Sequence, residues 1–476
     1  MAMLGKSRAS PVLIFCERVL AVLIDKKTDF SASELSFDEI DAGFTTREAI
    51  AEAKRCLNCK TPLCRKGCPI GNDIPGFIHA LANGNIGEAS AIIALRSNLP
   101  AVCGRVCPHE RQCEGACVLT RKDCGIQIGK LERFIADFDA EMGIHVHKNE
   151  VPLQGKVAVI GSGPAGLTVA GDLAKLGFAV TIFESQSEPG GVLMHGIPEF
   201  RLGKDVVRRE IRRIQELGVE IRTNILVGPD ITVDAMFEQG FDAIFIGTGT
   251  ALPKTLDIPG KALPGVVQAT YFLGMVALAR AGCLGAKEIP VVARDRVVII
   301  GAGNVAMDAA RTAVRLGAAK VTVVYRRTEQ DITADKTEFE AARAEGVEFC
   351  WLASPAAVQG EKRVTGLKCE VLAIDAEDKT QPTGETKVLE ADVVLLAIGQ
   401  RPAARIVSTT RGIDVDAMGY VVTRDRPYGM TTRRGVFAGG DVVHEPATVV
   451  LAMKEAKKVA AGIAQYIEAK KLIESC

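Results

Sequence analysis

The sequence has no excess of charge of either sign and no long hydrophobic run. Its 476 residues carry 58 Lys and Arg against 58 Asp and Glu, so no global basic field favours nucleic acid or anionic lipid. The most apolar stretch, residues 11–24, is interrupted by Glu17 and Arg18 and is too short to span a bilayer. It also lacks a small-residue cleavage site. We therefore expect a cytoplasmic protein that binds neither nucleic acid nor membrane.

Aromatic residues are scarce, at 5% of the chain, whereas glycine is abundant, with 47 residues. This balance is typical of α/β enzymes built around tight turns and argues against a disordered chain. At roughly 150 residues per domain, the length suggests about three domains. The composition leaves 14 cysteines to be explained. In a reducing cytoplasm, metal binding is a more common use of cysteine than disulfides.

Nine of the cysteines lie between Cys56 and Cys124, among short helical patterns broken by Gly and Pro. The first run, CLNCKTPLCRKGCP, resembles the bacterial ferredoxin run that ends in Cys-Pro. A second run, CGRVCPHERQCEGAC, follows at residues 103–117. In two-cluster ferredoxins the fourth cysteine of a run binds the other cluster, so the two runs are expected to exchange ligands. A zinc ribbon or simple thiol packing are the alternatives.

From residue 155 onward, apolar runs alternate with Gly-rich turns and amphipathic helices, the pattern of strand, turn and helix units in a parallel sheet. The first unit carries Gly161, Gly163 and Gly166 at G-x-G-x-x-G spacing. These glycines predict a tight turn, close approach of a pyrophosphate and close helix packing. Glu184 ends the next strand, where an acid can accept a hydrogen bond from a ribose hydroxyl. The alternative is a loop that merely needs glycine.

A second, related unit has Gly301 and Gly303 with Ala306 at the third position. Its second strand ends in Arg326 and Arg327, where the first unit has an acid. Because a guanidinium can pair with a 2′-phosphate through two hydrogen bonds, this unit favours NADPH over NADH. The alternative for the two arginines is a solvated basic turn.

Two nucleotide units on duplicated folds suggest a flavin that exchanges electrons with a nicotinamide. The C-terminal stretch FAGGD, which ends in Gly440 and Asp441, precedes a long helical pattern. It predicts a second flavin-binding turn, with Asp441 at the ribityl chain and the following helix N-terminus, at Thr448 and Val449, facing the ring. A simple strand-to-helix turn with Asp as the cap is the alternative.

The motifs occur in an order that resembles the small (β) subunit of NADPH-dependent glutamate synthase. This order is the two cysteine runs, GSGPAG, PGGVLMHGIPEFRL, FIGTGT, GAGNVAMDAAR, VVYRR, LLAIGQRP and VFAGGD. That family includes the large subunit of NADH-dependent reduced ferredoxin:NADP oxidoreductase and is similar to the N-terminal half of dihydropyrimidine dehydrogenase. The resemblance implies an α/β protein with a helical domain holding two 4Fe-4S clusters at 1–152. It also implies an FAD-binding domain at 153–289 and 395–476, interrupted by an NADPH-binding domain at 290–394, in the nested Rossmann-like arrangement of disulfide oxidoreductases.

The resemblance also implies the site residues. It assigns a first ligand set, Cys56, Cys59, Cys64 and Cys117, and a second ligand set, Cys68, Cys107, Cys113 and Glu132. Counting cysteines alone selects Cys103 instead of Glu132. The expected cofactor-binding residues are Gly161, Gly163, Pro164, Ala165, Gly166, Glu184, Gly191, Val192, Gly440, Asp441, Thr448 and Val449 for FAD, and Gly301, Gly303, Asn304, Val305, Arg326 and Arg327 for NADPH.

The function that follows is an electron-input subunit in which NADPH reduces FAD and single electrons pass through the clusters to a partner. No catalytic acid or base is assigned, and His195 is expected to be a structural loop histidine. Because the chain shows no N-terminal Cys nucleophile and no room for a synthase domain, a large glutamate synthase subunit is expected to form glutamate. The alternatives are an electron-bifurcating transhydrogenase subunit that passes electrons to ferredoxin and a second flavoprotein, and a non-redox metal-binding scaffold.

Overall fold

A computed structural model describes residues 35–121, 124–143, 153–375, 377, 379–403, 406 and 409–475. It contains a helical N-terminal part followed by one mainly parallel and one parallel sheet, both flanked by helices, which confirms the predicted α/β class. The apolar stretch at 11–24 lies outside the described residues. Within the described part of the chain, no helix is long and apolar enough to cross a membrane.

The N-terminal part consists of short helices around a core that includes Phe77, Leu81 and Leu131. Its first helix begins with a capping box, in which Thr45 and Glu48 satisfy each other's backbone N–H groups. Its last helix ends at Gly143, whose φ of +63° is the left-handed conformation that glycine adopts readily. The helices span Thr46–Ala53, Leu63–Gly67, Ile74–Ala82, Ile86–Ala94, Pro100–Val106 and Ile128–Met142, with 3₁₀ turns at His109–Arg111 and Val118–Arg121.

The strands follow from residue 155 onward. In chain order they are β1 Gly155–Ile160, β2 Phe178–Phe183, β3 Glu220–Arg222, β4 Ala243–Ile246, β5 Leu252–Pro253, β6 Val266–Gln268, β7 Arg296–Ile300, β8 Lys320–Val324, β9 Glu348–Cys350, β10 Ala353–Gln359, β11 Gly366–Ile374, β12 Thr380–Glu390, β13 Val393–Leu396, β14 Gln400–Arg401, β15 Thr423–Asp425, β16 Tyr428–Thr431 and β17 Val436–Ala438.

The first sheet has seven strands in the order β15-β16-β17-β4-β1-β2-β3. Its central strands β1, β2, β4 and β17 pair in parallel and are almost wholly buried, because helices cover one face and loops and a short helix the other. The associated helices are Pro164–Lys175, Val192–His195, Lys204–Glu216, Val233–Glu238 and Val449–Glu474, with a 3₁₀ turn at Gly440–Val442.

The second sheet has five parallel strands in the order β6-β13-β7-β8-β9. Its helices are Ala269–Arg280, Asn304–Arg315 and Lys336–Ala344, with 3₁₀ turns at Ala286–Glu288 and Glu329–Asp331. Strands β10 to β12 form a separate antiparallel sheet, and β5 pairs with β14. Since β6 belongs to the second sheet, this sheet begins earlier in the chain than the expected boundary at residue 290.

Candidate functional site

A single cavity of about 960 Å³ is lined by residues of both nucleotide-binding units. Such clefts at the carboxyl ends of parallel strands are the usual ligand sites of open α/β sheets. Of the predicted cofactor-binding residues, the cavity wall includes Gly161, Gly163, Pro164, Ala165, Glu184, Gly191, Val192, Asp441, Thr448, Val449, Asn304 and Val305. Gly166, Gly440, Gly301, Gly303, Arg326 and Arg327 do not line it directly.

The three glycines of the first turn have different structural roles. Gly161 has a φ of +95°, and a Cβ there would lie 2.7 Å from the Gly247 carbonyl oxygen. A Cβ on Gly166 would lie 2.0 Å from the Gly161 carbonyl oxygen, so this glycine allows the helix to approach the strand. A Cβ on Gly163 would meet no atom within 4 Å. The space beside Gly163 is therefore open toward the cavity, as binding of a pyrophosphate requires.

The helix that begins at Pro164 also fits an anion. Its N-cap is Gly163, which offers no side chain to accept from the first N–H groups. Uncapped N–H groups and the helix dipole attract negative charge. The residues of the first unit therefore fit the pyrophosphate of a dinucleotide such as FAD.

Glu184 is buried at the end of β2, and hydrogen bonds fix its orientation. Its Oε2 accepts from the Ser162 backbone N–H at 2.9 Å and from the Ser162 hydroxyl at 2.5 Å, and its Oε1 accepts from the Gln186 N–H at 2.9 Å. A carboxylate has about four acceptor positions, and the Ser185 hydroxyl occupies the fourth, donating to Oε1 at 3.2 Å. A ribose hydroxyl would replace this longest of the four bonds. Ser162 was not predicted from the sequence, and its hydroxyl also accepts from the Gly190 N–H at 2.9 Å. Its position between two glycines of the fingerprint is the sequence signal that could have identified it.

The C-terminal turn packs directly against the first one. Gly440 has a φ of +74°, and a Cβ there would lie 2.9 Å from the Ala165 Cβ. Burial raises the pKa of Asp441, while a hydrogen bond with the Ala447 backbone opposes this rise. The long helix that follows is capped by Thr448, whose hydroxyl accepts from the Leu451 N–H at 3.4 Å. Asp441 is therefore not the cap of this helix, and its half-buried carboxyl lies in the cavity wall.

The second nucleotide unit repeats the arrangement. Gly301 has a φ of +117°, and a Cβ there would lie 2.4 Å from the Ala397 carbonyl oxygen, whereas a Cβ on Gly303 would meet only the Thr333 hydroxyl, at 3.5 Å. The helix starting at Asn304 has no side-chain cap. The Asn304 amide instead pairs with Asp335, donating to its carboxylate at 2.9 Å and accepting from its N–H at 2.8 Å. This leaves the helix N-terminus available for a second pyrophosphate.

Arg326 and Arg327 follow strand β8 and are both exposed. Neither guanidinium has an ion-pair partner among the residues that the structure describes. After hydrogen bonds with Thr328, the Arg327 charge also lowers the pKa of Asp331. Two exposed guanidinium groups beside the second nucleotide unit suit a 2′-phosphate, and this assignment remains a prediction.

A buried ion pair in the cavity wall joins the two nucleotide units. Arg201 donates to both oxygens of Asp308, at 2.9 and 3.0 Å, and its Nε lies 2.9 Å from Glu338. Burial raises the pKa of Asp308 to about 6, although the Arg201 charge opposes this rise. The sequence did not identify this pair, because its members are 107 residues apart.

The first ligand set shares one small cavity of about 30 Å³. Cys56, Cys59, Cys64 and Cys117 all line it, together with apolar residues that include Leu63. Burial, followed by the neighbouring thiols, raises the pKa of Cys64 to about 11. A site where four thiols converge in apolar surroundings is suited to a positive centre that binds them as thiolates.

The second ligand set lies deeper. Glu132 is only 8% exposed. Burial raises the pKa values of Cys68 and Cys113, and a hydrogen bond with Cys103 raises the pKa of Cys107. The Glu132 carboxylate adds to all three shifts, so these groups lie near one another. Burial raises the pKa of Glu132 to about 8, and its hydrogen-bond donor is the Asn72 amide, at 3.3 Å. A buried carboxylate without a cationic partner is costly, and an iron cluster would supply the missing positive charge.

Cys103, the other candidate for the eighth ligand, is also buried. Its Sγ donates to the Met453 Sδ at 3.6 Å and accepts from the Ser97 hydroxyl at 3.9 Å. It also hydrogen-bonds Cys107, which raises the pKa of that thiol. Cys103 thus packs in the core of the first sheet, beside the second ligand set.

Among the described residues, no three His, Cys, Asp or Glu side chains lie close enough to hold a single metal ion. A zinc ribbon gathers four donors on one ion, whereas a four-iron cluster spreads its ligands over four irons. Cys124, which is outside both sets, is disulfide-bonded, so the expectation of reduced thiols does not hold at that residue.

His195 lies outside the large cavity, in the wall of a separate one of about 120 Å³. Its Nε2 is 3.4 Å from the Glu188 carbonyl oxygen. This contact supports the expected structural role of the histidine.

Comparisons with known proteins agree with these two kinds of site. Residues 33–144 match the family described as dihydropyrimidine dehydrogenase domain II, 4Fe-4S cluster, and residues 155–456 match the pyridine nucleotide-disulphide oxidoreductase family. The glutamate synthase [NADPH] small chain of Halomonas elongata is 38% identical, over 91% of this chain and 93% of its own. The NAD-dependent dihydropyrimidine dehydrogenase subunit PreT of Salmonella typhimurium is 36% identical, over 90% of this chain and 97% of its own.

Among solved structures, FprA of Mycobacterium tuberculosis in complex with NADPH matches with a TM-score of 0.57 at 19% identity, covering 68% of this chain and 87% of that one. At this identity the likeness supports the fold alone. The family matches, together with the cavity and the cysteine sets, support FAD, NADPH and 4Fe-4S clusters as cofactors. The chain belongs to the glutamate synthase small-chain family of pyridine nucleotide-disulphide oxidoreductases and is an NAD(P)H oxidoreductase that uses FAD and iron–sulfur clusters.

Proposed function

We propose that the chain is the NADPH-oxidising electron-input subunit of a glutamate synthase. Its partner is a large subunit that makes glutamate from glutamine and 2-oxoglutarate. The observation that carries this proposal is the single cavity shared by the two nucleotide units. Because the first turn and the start of the helix after the second turn, at Asn304 and Val305, line one space, a nicotinamide bound to the second unit can reach a flavin bound to the first. The relatives named as glutamate synthase small chains support the choice of partner.

In this proposal the cofactors supply the redox chemistry: NADPH donates a hydride, and FAD and the clusters divide its two electrons into single-electron transfers. The protein binds these cofactors and orients them. Gly163 and Gly303 give the two pyrophosphates access to helix N-termini, and Glu184 holds a ribose. Arg326 and Arg327 select the 2′-phosphate of NADPH.

The second ligand set is proposed to hold the cluster nearer the flavin. Val106, which precedes Cys107, lines the large cavity. Cys103 contacts Met453 on the helix whose N-terminus lies in the cavity wall. We assign the eighth ligand to Glu132, because its buried carboxylate has no cationic partner in the described part of the chain. The first ligand set then holds the outer cluster, from which electrons leave.

A cytoplasmic location follows from the same assignment, since the thiols of both ligand sets must stay reduced to bind iron. The bifurcating transhydrogenase uses the same cofactors on the same scaffold. No contact in the described structure favours it, so the partner must be identified directly.

The test is anaerobic, low-salt purification of the tagged protein from its native host, followed by mass spectrometry of chains that elute in stoichiometric amount. We expect a much larger chain with an N-terminal Cys amidotransferase domain, and NADPH-dependent glutamate formation from glutamine and 2-oxoglutarate by the complex. A small flavoprotein partner, with ferredoxin reduction in place of glutamate formation, would contradict the proposal.

A further inference from the structure

The chain segment that carries Cys56, Cys59 and Cys64 is basic, although the chain as a whole is neutral. Residues 54–67, KRCLNCKTPLCRKG, contain five Lys and Arg and no Asp or Glu. Lys54, Lys60 and Lys66 are exposed and have no ion-pair partner among the described residues. Arg121, also exposed and without such a partner, ends the 3₁₀ turn that follows Cys117. Cations therefore flank the first ligand set on both of its chain segments.

Two other arginines of the region are engaged. Arg55 donates to both oxygens of Glu52 at 2.8 Å, and Arg65 lies 3.6 Å from Asp73. These two acids are the nearest to the run on either side in the sequence. The excess positive charge thus comes from the lysines and Arg121.

The same run carries an exposed leucine. Leu57, between Cys56 and Cys59, is 61% exposed, and the next residue, Asn58, has a φ of +45°. Leu57 also lines the small cavity of the first ligand set. An exposed apolar side chain within a run of exposed cations suits a protein-binding surface, where charged groups steer the partner and apolar contacts exclude water.

The first ligand set is also the more accessible of the two. All four of its cysteines are partly exposed, whereas Cys113 of the second ligand set is buried. Because electron transfer slows steeply with distance, a protein acceptor must approach the cluster nearest the surface.

A purely local role for the cations would be to offset the negative charge of a thiolate-bound cluster. Exposed side chains serve that role poorly, because water screens their interaction with a buried group. The same exposure gives them a strong effect on an approaching macromolecule.

We propose that this basic surface, defined by Lys54, Leu57, Lys60, Lys66 and Arg121, docks an acidic protein that accepts electrons one at a time. The inference rests on the proposed function and adds the chemistry of the partner's docking face. Each docking event removes one electron, so two events balance the hydride that NADPH donates.

The test compares the full-length holoprotein with the charge-reversal variant Lys60→Glu/Lys66→Glu. The control Lys287→Glu/Lys362→Glu changes net charge equally at exposed lysines outside the helical part. The probes are a flavodoxin, which is an acidic protein, and cytochrome c, which is a basic one. The readouts are the equilibrium Kd of each probe at low and high salt, and the KM and kcat for their NADPH-dependent reduction.

We expect the Lys60/Lys66 variant to bind flavodoxin at least about tenfold more weakly at low salt, with a raised KM, an unchanged kcat and tighter binding of cytochrome c. The difference should shrink at high salt. An unchanged flavodoxin Kd, or an equal change in the control, would overturn the proposal. If the Lys60/Lys66 variant loses iron, the variant Lys54→Glu/Arg121→Glu replaces it in the same assays, and the same outcomes support or overturn the proposal.

Failure of this inference is distinguishable from failure of the proposed function. If the basic surface is not used, flavodoxin binding is insensitive to charge reversal while the complex still makes glutamate from NADPH. If the proposed function fails, no large synthase subunit co-purifies, whatever the charge dependence.

Discussion

Replacing Gly163 by alanine should weaken FAD binding without unfolding the protein. Gly163 is the N-cap of the helix that begins at Pro164, with φ −68° and ψ −178°, a conformation that alanine also adopts. The added Cβ would meet no protein atom within 4 Å. Its effect should therefore fall on whatever occupies that open space, which we assign to the pyrophosphate of FAD.

The magnitudes follow from this geometry. In the apoprotein, alanine is a poorer N-cap than glycine, but it also lowers the entropy of the unfolded chain. These opposing effects are each about 0.5–1 kcal/mol, so the net change in unfolding free energy should be within about 0.5 kcal/mol. A methyl group forced into a close-packed contact costs about 1–3 kcal/mol. FAD should therefore bind about 10- to 100-fold more weakly.

Two matched glycine variants make the assay specific. Gly166→Ala would place a Cβ 2.0 Å from the Gly161 carbonyl oxygen, so it should destabilise the apoprotein itself, by about 1–3 kcal/mol. Gly303→Ala makes the same change in the second unit, where the nearest atom is the Thr333 hydroxyl at 3.5 Å, so it should weaken NADPH and spare FAD. Flavin content, NADPH affinity and thermal midpoints of the apoproteins distinguish the three cases.

The reasoning would be refuted by a Gly163→Ala protein that binds FAD as tightly as the native chain. It would equally be refuted if the Gly163 and Gly166 variants lost apoprotein stability to the same extent, since the open space beside Gly163 would then have no functional meaning.

Two further predictions concern the arginines and the second ligand set. Replacing Arg326 and Arg327 by alanine should raise the KM for NADPH about 10- to 100-fold and leave NADH kinetics and thermal stability unchanged, because hydrogen bonds to charged groups contribute about 1.5–3 kcal/mol. Parallel loss of NADPH and NADH activity would contradict this. Glu132→Ala should lower iron per chain by about half, whereas Cys103→Ala should retain the iron and shift the reduction potential of one cluster. Iron analysis and EPR-monitored titration test this, and iron loss in the Cys103 variant alone would make Cys103 the ligand.

The nucleotide turns could be predicted from the sequence because their requirements are local. The spacing of Gly161, Gly163 and Gly166 reflects one strand, one turn and one helix, so a few consecutive residues contain the whole signal. The same holds for the order of the cysteine runs. Ser162 was missed although it lies inside the fingerprint, because its role depends on Glu184, which is 22 residues away.

Features that depend on distant pairing could not be predicted in this way. Strand β6 has only three residues, each half-buried, and its place in the second sheet is fixed by pairing Val266 with Val394. A run this short has no periodicity that separates it from a loop. The expected boundary at residue 290 therefore falls later in the chain than the start of the second sheet.

Charged side chains link the second nucleotide unit to the other two parts of the chain. Arg201 reaches from the first unit to Asp308 and Glu338 of the second. From the iron–sulfur part, Arg111 donates to the Ala334 carbonyl oxygen at 2.6 Å, and Glu110 accepts from a backbone N–H at 2.9 Å. Both contacts of the iron–sulfur part end at the start of the helix Lys336–Ala344, which belongs to the second nucleotide unit. The helical part therefore contacts the nicotinamide unit directly as well as holding clusters, and loosening these links should alter hydride transfer before it alters cluster content.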